Sequence, residues 1–180
     1  DKDKELLSNY FKLVSKNFND MSDSQSNKIK ILKQIIAKEM NISFEQLDKI
    51  VSPYEAIYTI ADHSRTLLFA ISDGSLPSNV GGGYNLRILL RRILSIIERF
   101  AWDIKIEELM DLHIKYLKNM YPELEEYQKE VHTILKLESE RYSSTRNRMN
   151  DIANDIKRTQ KQLTVEELIT LYESDGITPD

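Results

Sequence analysis

The chain has 180 residues, of which 41% are hydrophobic and 30% charged, with a formal net charge of −4; that is enough apolar material for a buried core and argues against a mainly disordered chain. It contains no cysteine and three histidines, which excludes disulfides and thiolate metal sites and fits a reducing, cytoplasmic setting. No apolar run of about 18 residues appears, so no membrane span is expected. The overall acidity means that a nucleic-acid partner would have to be met by a local basic face.

From residue 4 to 18, Leu7, Tyr10, Phe11, Val14 and Phe18 recur at three- and four-residue steps and predict a first helix. After a polar stretch from Asn19 to Asn27, Ile29, Leu32, Ile35 and Ile36 predict a second, reaching about Met40. Ser43 and Gln46 read as a capping box that opens a short helix ending near Ile50. Ser52-Pro53-Tyr54-Glu55 reads as a fresh helix start, with the apolar set Ile57, Ile60, Ala61, Leu67, Leu68, Ala70 and Ile71 running to a stop at Asp73-Gly74.

The next helix is expected from about Gly83 to Phe100. Leu86, Ile88, Leu89, Leu90, Ile93, Leu94, Ile96 and Ile97 nearly encircle it, and it should form the core with its predecessor. Another is expected from Ile106 to Tyr121, where Pro122 steers the preceding residue away from helical angles. Leu124, Tyr127, Val131, Ile134, Tyr142, Met149, Ile152, Ile156 and Leu163 then alternate three and four steps, with Glu138, Thr145 and Thr159 as polar occupants. That pattern predicts one long helix or a helical hairpin with a narrow apolar seam. Thr164 and Glu167 form a second capping box before a stop at Ser174-Asp175-Gly176. With no alternating strand pattern, the fold class is all-α. Residues 1–50 form an N-terminal helical segment, and 51–180 a larger helical region expected to share one compact domain with it.

Chemistry concentrates in one loop. Gly74, Gly81, Gly82 and Gly83 fall within ten residues, between two helices. Three consecutive glycines at a helix start leave backbone N–H groups uncovered, an arrangement suited to an anion, and Arg87, Arg91, Arg92 and Arg99 follow. The alternative is that the glycines simply permit a tight turn and close packing. The segment lacks the Gly-Lys-Ser/Thr ending of a phosphate-binding loop and follows no strand, so nucleotide hydrolysis is not expected there. Asp62-His63-Ser64 holds the residue types of a nucleophilic triad, but neighbours on a helix do not face one another. His63 is read as a structural or substrate-facing hydrogen-bonding group, and His113 and His132 lack ligand-like spacing.

A second basic segment spans Arg141 to Gln162. Arg141, Arg146, Arg148, Lys157, Arg158 and Lys161 face only Asp151 and Asp155 there, a local excess of four positive charges. Such a stripe is either an ordinary solvated face or a surface for a phosphate backbone. Glu123, Glu125, Glu126 and Glu130 make the preceding part acidic and unfit for that role.

The order of residues from Ala61 to Arg92, ADHSRTLLFAISDGSLPSNVGGGYNLRILLRR, resembles the start of the helical middle region of archaeal-type alanyl-tRNA synthetases, and LYESDGITPD resembles the element closing that region. The resemblance brackets Pro53 to Asp180. It implies a tRNA acceptor-stem recognition region that reads a G·U wobble pair through an Asn in or beside the Gly-rich turn and an Asp in the closing element. Asn79 or Asn85 fills the first role, with Gly82 between them; Glu173 stands where the family has Asp, and Asp175 is the fallback. Arg87, Arg91, Arg146 and Arg158 are the expected backbone contacts.

The resemblance also implies that the chain, which begins at Asp1, is a piece of a larger ATP-dependent class II ligase. Its catalytic and editing domains would lie elsewhere in the same chain, using ATP with magnesium and zinc respectively. No catalytic residue, metal ligand or cofactor is expected here, and the fragment should not activate alanine alone. The competing reading is a helical protein-interaction module without RNA binding.

Overall fold

The computed structural model describes residues 2–17, 26–159 and 164–166. Among them are six helices and no strand: α1 (Lys2–Asn17), α2 (Ser26–Glu39), α3 (Phe44–Ser72), α4 (Gly81–Phe100), α5 (Ile106–Leu117) and α6 (Leu124–Thr159). They divide into two units, Asp1–Ile60 and Ala61–Asp180.

In the first unit, Leu7, Tyr10, Ile36, Ala37, Leu47 and Val51 form a buried cluster, with Leu32, Met40 and Ile50 packed against it. Ile29 and Ile35, expected on the apolar face of α2, are about half exposed, while Lys33 takes a buried place instead. The pairing explains the substitution. Lys33 Nζ donates to Asp48 Oδ1 at 2.9 Å and to Glu55 Oε2 at 2.6 Å, and the Tyr10 hydroxyl donates to Glu55 Oε1 at 2.6 Å. Burial, then the bond to Glu55, holds the Tyr10 hydroxyl far above the usual phenol range. For Lys33, burial favours the neutral amine, but its two carboxylate partners outweigh that and raise its pKa.

The capping box at the start of α3 forms as expected: the Gln46 N–H donates to Ser43 Oγ and the Ser43 N–H to Gln46 Oε1, each at 3.1 Å. The expected break near Ile50 does not occur. α3 runs on through Pro53, giving up one backbone hydrogen bond, because Leu47 and Val51 before the proline and Ala56 and Ile60 after it are all buried. Ser52 does not cap; its hydroxyl donates to Asp48 Oδ1 at 2.7 Å.

The second unit buries Leu67, Leu68 and Ile71 of α3, Leu86, Leu90 and Ile93 of α4, Ile106, Met110 and Ile114 of α5, and Leu124, Val131 and Leu135 of α6. α4 is amphipathic rather than encircled, since Ile88 is exposed. α5 stops at Leu117, earlier than Pro122 alone would require. α6 is one continuous helix of 36 residues, packed against α5 and α4. Its contact with α5 is fixed by Asp111, whose Oδ1 accepts from Gln128 Nε2 at 2.7 Å and lies 2.8 Å from His132 Nε2.

Candidate functional site

The loop from Asp73 to Val80 carries the chain from α3 to α4. Gly74 sits at φ +86°, and the Ser75 N–H reaches back to the Ala70 carbonyl at 2.9 Å, closing α3 in a left-handed turn. The three glycines at the start of α4 serve different ends. Gly81 has φ +58°, a conformation that strains any side chain. Gly83 lies so close to the turn that a Cβ there would stand 2.4 Å from both the Leu76 carbonyl oxygen and Ser78 Oγ. Its carbonyl accepts from the Ser78 N–H at 3.0 Å. Gly82 has neither constraint, with nothing within 4 Å of a Cβ position.

Val80 precedes α4 in an extended conformation and makes no side-chain cap, so the first N–H groups of α4 have no side-chain cap. Asn79, Gly81, Gly82 and Asn85 are all exposed around this helix start. The structure thus gathers Asn79, Gly82 and Asn85 at one turn.

Arg87 does not project freely beside them. Its Nε donates to Glu138 Oε2 at 2.8 Å and its Nη2 to Glu138 Oε1 at 2.9 Å, a two-pronged pair across α4 and α6. Its Nη1 donates to the Asn79 side-chain oxygen. The side chains are nearly enclosed, Arg87 being 13% and Glu138 7% exposed. Arg141 Nη1 donates to Glu138 Oε1 at 2.5 Å and stays largely in solvent. Burial alone would raise the Glu138 pKa, but the bonds from Arg87 and Arg141 outweigh it and hold the carboxyl below its ordinary range. Glu138 was expected only as a polar occupant of the α6 seam; its partner lies 51 residues earlier, beyond the reach of local pattern. Arg91 is half-buried and Arg92 exposed.

Beyond Glu138 the basic residues of α6 follow an exposed surface. Arg141 and Arg158 are well exposed, and Arg146 is half exposed with its Nε 3.6 Å from Glu98 Oε2, to which Tyr142 also donates at 3.0 Å. Arg158 Nη2 pairs with Asp155 within its own helix at 2.7 Å. Twenty residues separate Arg158 from Glu138, roughly 30 Å along the axis at 1.5 Å per residue. The turn and the far basic face are therefore separate parts of any shared surface. Glu173 and Asp175 lie outside the described residues, as does Glu167 of the second capping box.

Ser64 and His113 do meet, with Oγ 2.8 Å from Nε2. Ser64 is wholly buried and His113 partly so, and burial and then Arg65 lower the His113 pKa; the serine hydroxyl is thus closed to a substrate. His63 finds no hydrogen-bond partner for either ring nitrogen among the described residues. No group of three or more His, Cys, Asp or Glu side chains is placed to hold a metal among the described residues, nor is any helix there long and apolar enough to cross a membrane.

Residues 13–180 match the family of tRNA synthetases class II (A). An alanine–tRNA ligase of Nitrosopumilus maritimus (strain SCM1) is 47% identical over 180 residues, all of this chain and 20% of the relative. Those of Cenarchaeum symbiosum (strain A) and Pyrococcus abyssi (strain GE5 / Orsay) are 49% identical over 144 residues and 38% over 157, covering 80% and 84% of this chain. They are covered to 16% and 17% of their own lengths, so the chain spans a fifth or less of the curated relatives it matches. By the match across nearly its whole length, together with the Gly-rich turn and its flanking residues, the chain belongs to the class II (A) tRNA synthetases, the alanyl-tRNA synthetase family.

Proposed function

We propose that this chain is the tRNA acceptor-stem recognition region of an alanine–tRNA ligase, reading a G·U wobble pair from the turn between α3 and α4. The observation that carries the reading is the exposed cluster of Asn79, Gly82 and Asn85 around a helix start without a side-chain cap. Short polar side chains beside bare backbone permit close approach to a base edge, while backbone N–H groups at a helix start favour phosphate. The base readers are Asn79 or Asn85 with Glu173 or Asp175. A carboxylate suits the guanine amino group, the donor that distinguishes G in a minor groove. Arg91, Arg141, Arg146 and Arg158 supply backbone contacts along α4 and α6. Arg87, taken up by Glu138 and Asn79, shapes the turn instead of adding a free charge.

The ligase as a whole would attach alanine to its tRNA using ATP with magnesium, and zinc in an editing domain. Among the described residues no group of three or more His, Cys, Asp or Glu side chains is placed to hold a metal, and no step of that chemistry is assigned to them. Catalytic and editing domains of the same polypeptide, in the cytoplasm, complete the assignment.

The test is titration of the chain with two acceptor-stem hairpins differing only in a G·U or G·C third pair, at low and moderate salt. Tighter binding of the G·U hairpin is expected. Equal, salt-sensitive binding would reduce the region to electrostatic positioning. No binding to either would favour a protein-interaction module.

A further inference from the structure

We propose that the outward face of α5, built on Leu112, Tyr116 and Met120, is the docking surface for another domain of the same ligase polypeptide, one that presents an apolar centre with a basic rim. The inference goes beyond RNA recognition and rests only on the reading that further domains belong to the same polypeptide. Ile106, Met110 and Ile114 turn one side of α5 into the core and are at most 4% exposed. On the opposite side of the helix, Leu112, Tyr116 and Met120 are 63%, 86% and 73% exposed. They recur at four-residue steps, so neighbours stand about 6 Å apart along one face. The row continues past Leu117, because the Met120 and Tyr121 N–H groups both donate to the Leu117 carbonyl at 2.9 Å. Single exposed apolar side chains are ordinary. A contiguous row on a helix whose other side is already apolar and buried marks a surface that is covered when the protein is whole.

Charge decides what covers it. From Asp103 to Glu130 eight acidic residues stand against four basic ones, the reverse of the excess from Arg141 to Gln162. Glu108, Glu123, Glu125 and Glu126 are exposed, and the Lys118–Glu125 pair at 3.9 Å keeps the acidic start of α6 beside the end of the row. A phosphate backbone is repelled there. A protein surface fits, its apolar centre meeting the row and its lysines or arginines meeting the acidic surround. Three side chains supply far less than the roughly 800 Å² that each partner of a stable complex buries, so a separate protein would be held weakly. A tethered domain needs less area, because its effective concentration is high. The chain spans a fifth or less of the relatives it matches, and the remainder of such a ligase supplies the tethered surface.

Methionine oxidation by dilute hydrogen peroxide tests this in the full-length ligase, read by peptide mass spectrometry with each rate divided by its value in the denatured enzyme. Met110, fully buried, is the internal reference. Met120 should oxidise about as slowly as Met110. Oxidation at least about tenfold faster than Met110 is what an open row would give, and that result would overturn the docking. Protection of Met120 that is lost on dilution would move the occupant to a second molecule, and protection that appears only when the acceptor-stem hairpin is added would move it to RNA; either overturns the assignment to the same polypeptide. Tyr116→Glu puts a charge into the apolar centre from a position that is 86% exposed and away from the core side of α5. Met120 oxidation should then rise about tenfold while Met110 stays slow. A rise at both would show that the row serves the fold of α5 itself, and an unchanged Met120 would show that the domain docks elsewhere; both sink the proposal. None of these readouts uses the G·U preference, so failure of the docking and failure of the recognition role are told apart.

Discussion

Adjacent glycines at the start of α4 should respond to alanine with opposite signs. In Gly83→Ala the new Cβ stands 2.4 Å from the Leu76 carbonyl oxygen, 2.4 Å from Ser78 Oγ and 3.0 Å from Ser78 Cβ. None of these neighbours is the loose end of a long side chain. Ser78 Oγ donates to the Val80 carbonyl at 2.8 Å, and the Ser78 N–H donates to the Gly83 carbonyl at 3.0 Å. Relief requires the turn to move off the helix and weaken both bonds, each worth about 1 kcal/mol, on top of overpacking of roughly 1–3 kcal/mol. The helix propensity of alanine returns about 1 kcal/mol, leaving a net loss of up to about 2–4 kcal/mol. Gly82→Ala meets nothing within 4 Å, so only the propensity gain remains, a few tenths to about 1 kcal/mol. Thermal denaturation followed by circular dichroism reads the split, at roughly 2–4 °C per kcal/mol for a chain of this size. A Gly83→Ala chain as stable as the parent would refute the packing argument. Because Gly82→Ala leaves the fold intact, its effect on hairpin affinity separately measures how closely RNA approaches this backbone.

Glu138→Ala should cost about 3 kcal/mol near neutral pH, the lower end for stranding a buried charge, since Arg87 keeps Asn79. Because the folded-state pKa of Glu138 lies below its ordinary 4.5, its contribution is complete above that value and lost as pH falls through the folded pKa; the melting-temperature gap between parent and variant should therefore close in acid, and a constant gap would contradict the pairing. Ala101 terminates α4 at φ 49°, with the Trp102 N–H bonded to the Ile97 carbonyl at 3.1 Å; Ala101→Gly should raise stability by about 1 kcal/mol in the same melts. Removing Arg146 and Arg158 together should weaken both hairpins alike and flatten the salt dependence by roughly one unit per lost phosphate contact, and an unchanged slope would remove them from the interface.

Helix positions were legible wherever the cause is local. The capping box at Ser43 and Gln46, the stop at Gly74 and the all-helical class all follow from periodicity and turn chemistry that act over a few residues. Pro53 misled because its local cost of one hydrogen bond was read without the burial of Leu47, Val51, Ala56 and Ile60 around it. Burial is a tertiary quantity, and it overrode the local signal. Lys33 illustrates the same limit from the other side: nothing near it in sequence explains a buried ammonium, and the carboxylates that stabilise it come from Asp48 and Glu55 on another helix.

The candidate site divides along that line. Its polar turn was legible, because exposed Asn and Gly around a helix start declare themselves by composition, and the order of residues there resembles a family. The partition among its members was not. Arg87 and Arg91 look equivalent in the sequence, four apart on one face, and both read as phosphate contacts. What separates them is Glu138, whose place in an apolar seam is visible but whose partner across 51 residues is not. A carboxylate enclosed in such a seam requires a cation with matching geometry, and a planar two-pronged arginine meets that need better than a lysine would. Once Arg87 is so engaged, its remaining nitrogen donates to the Asn79 side-chain oxygen. The most conspicuous arginine beside the glycines is thus held by partners within the fold and is not left as a free charge.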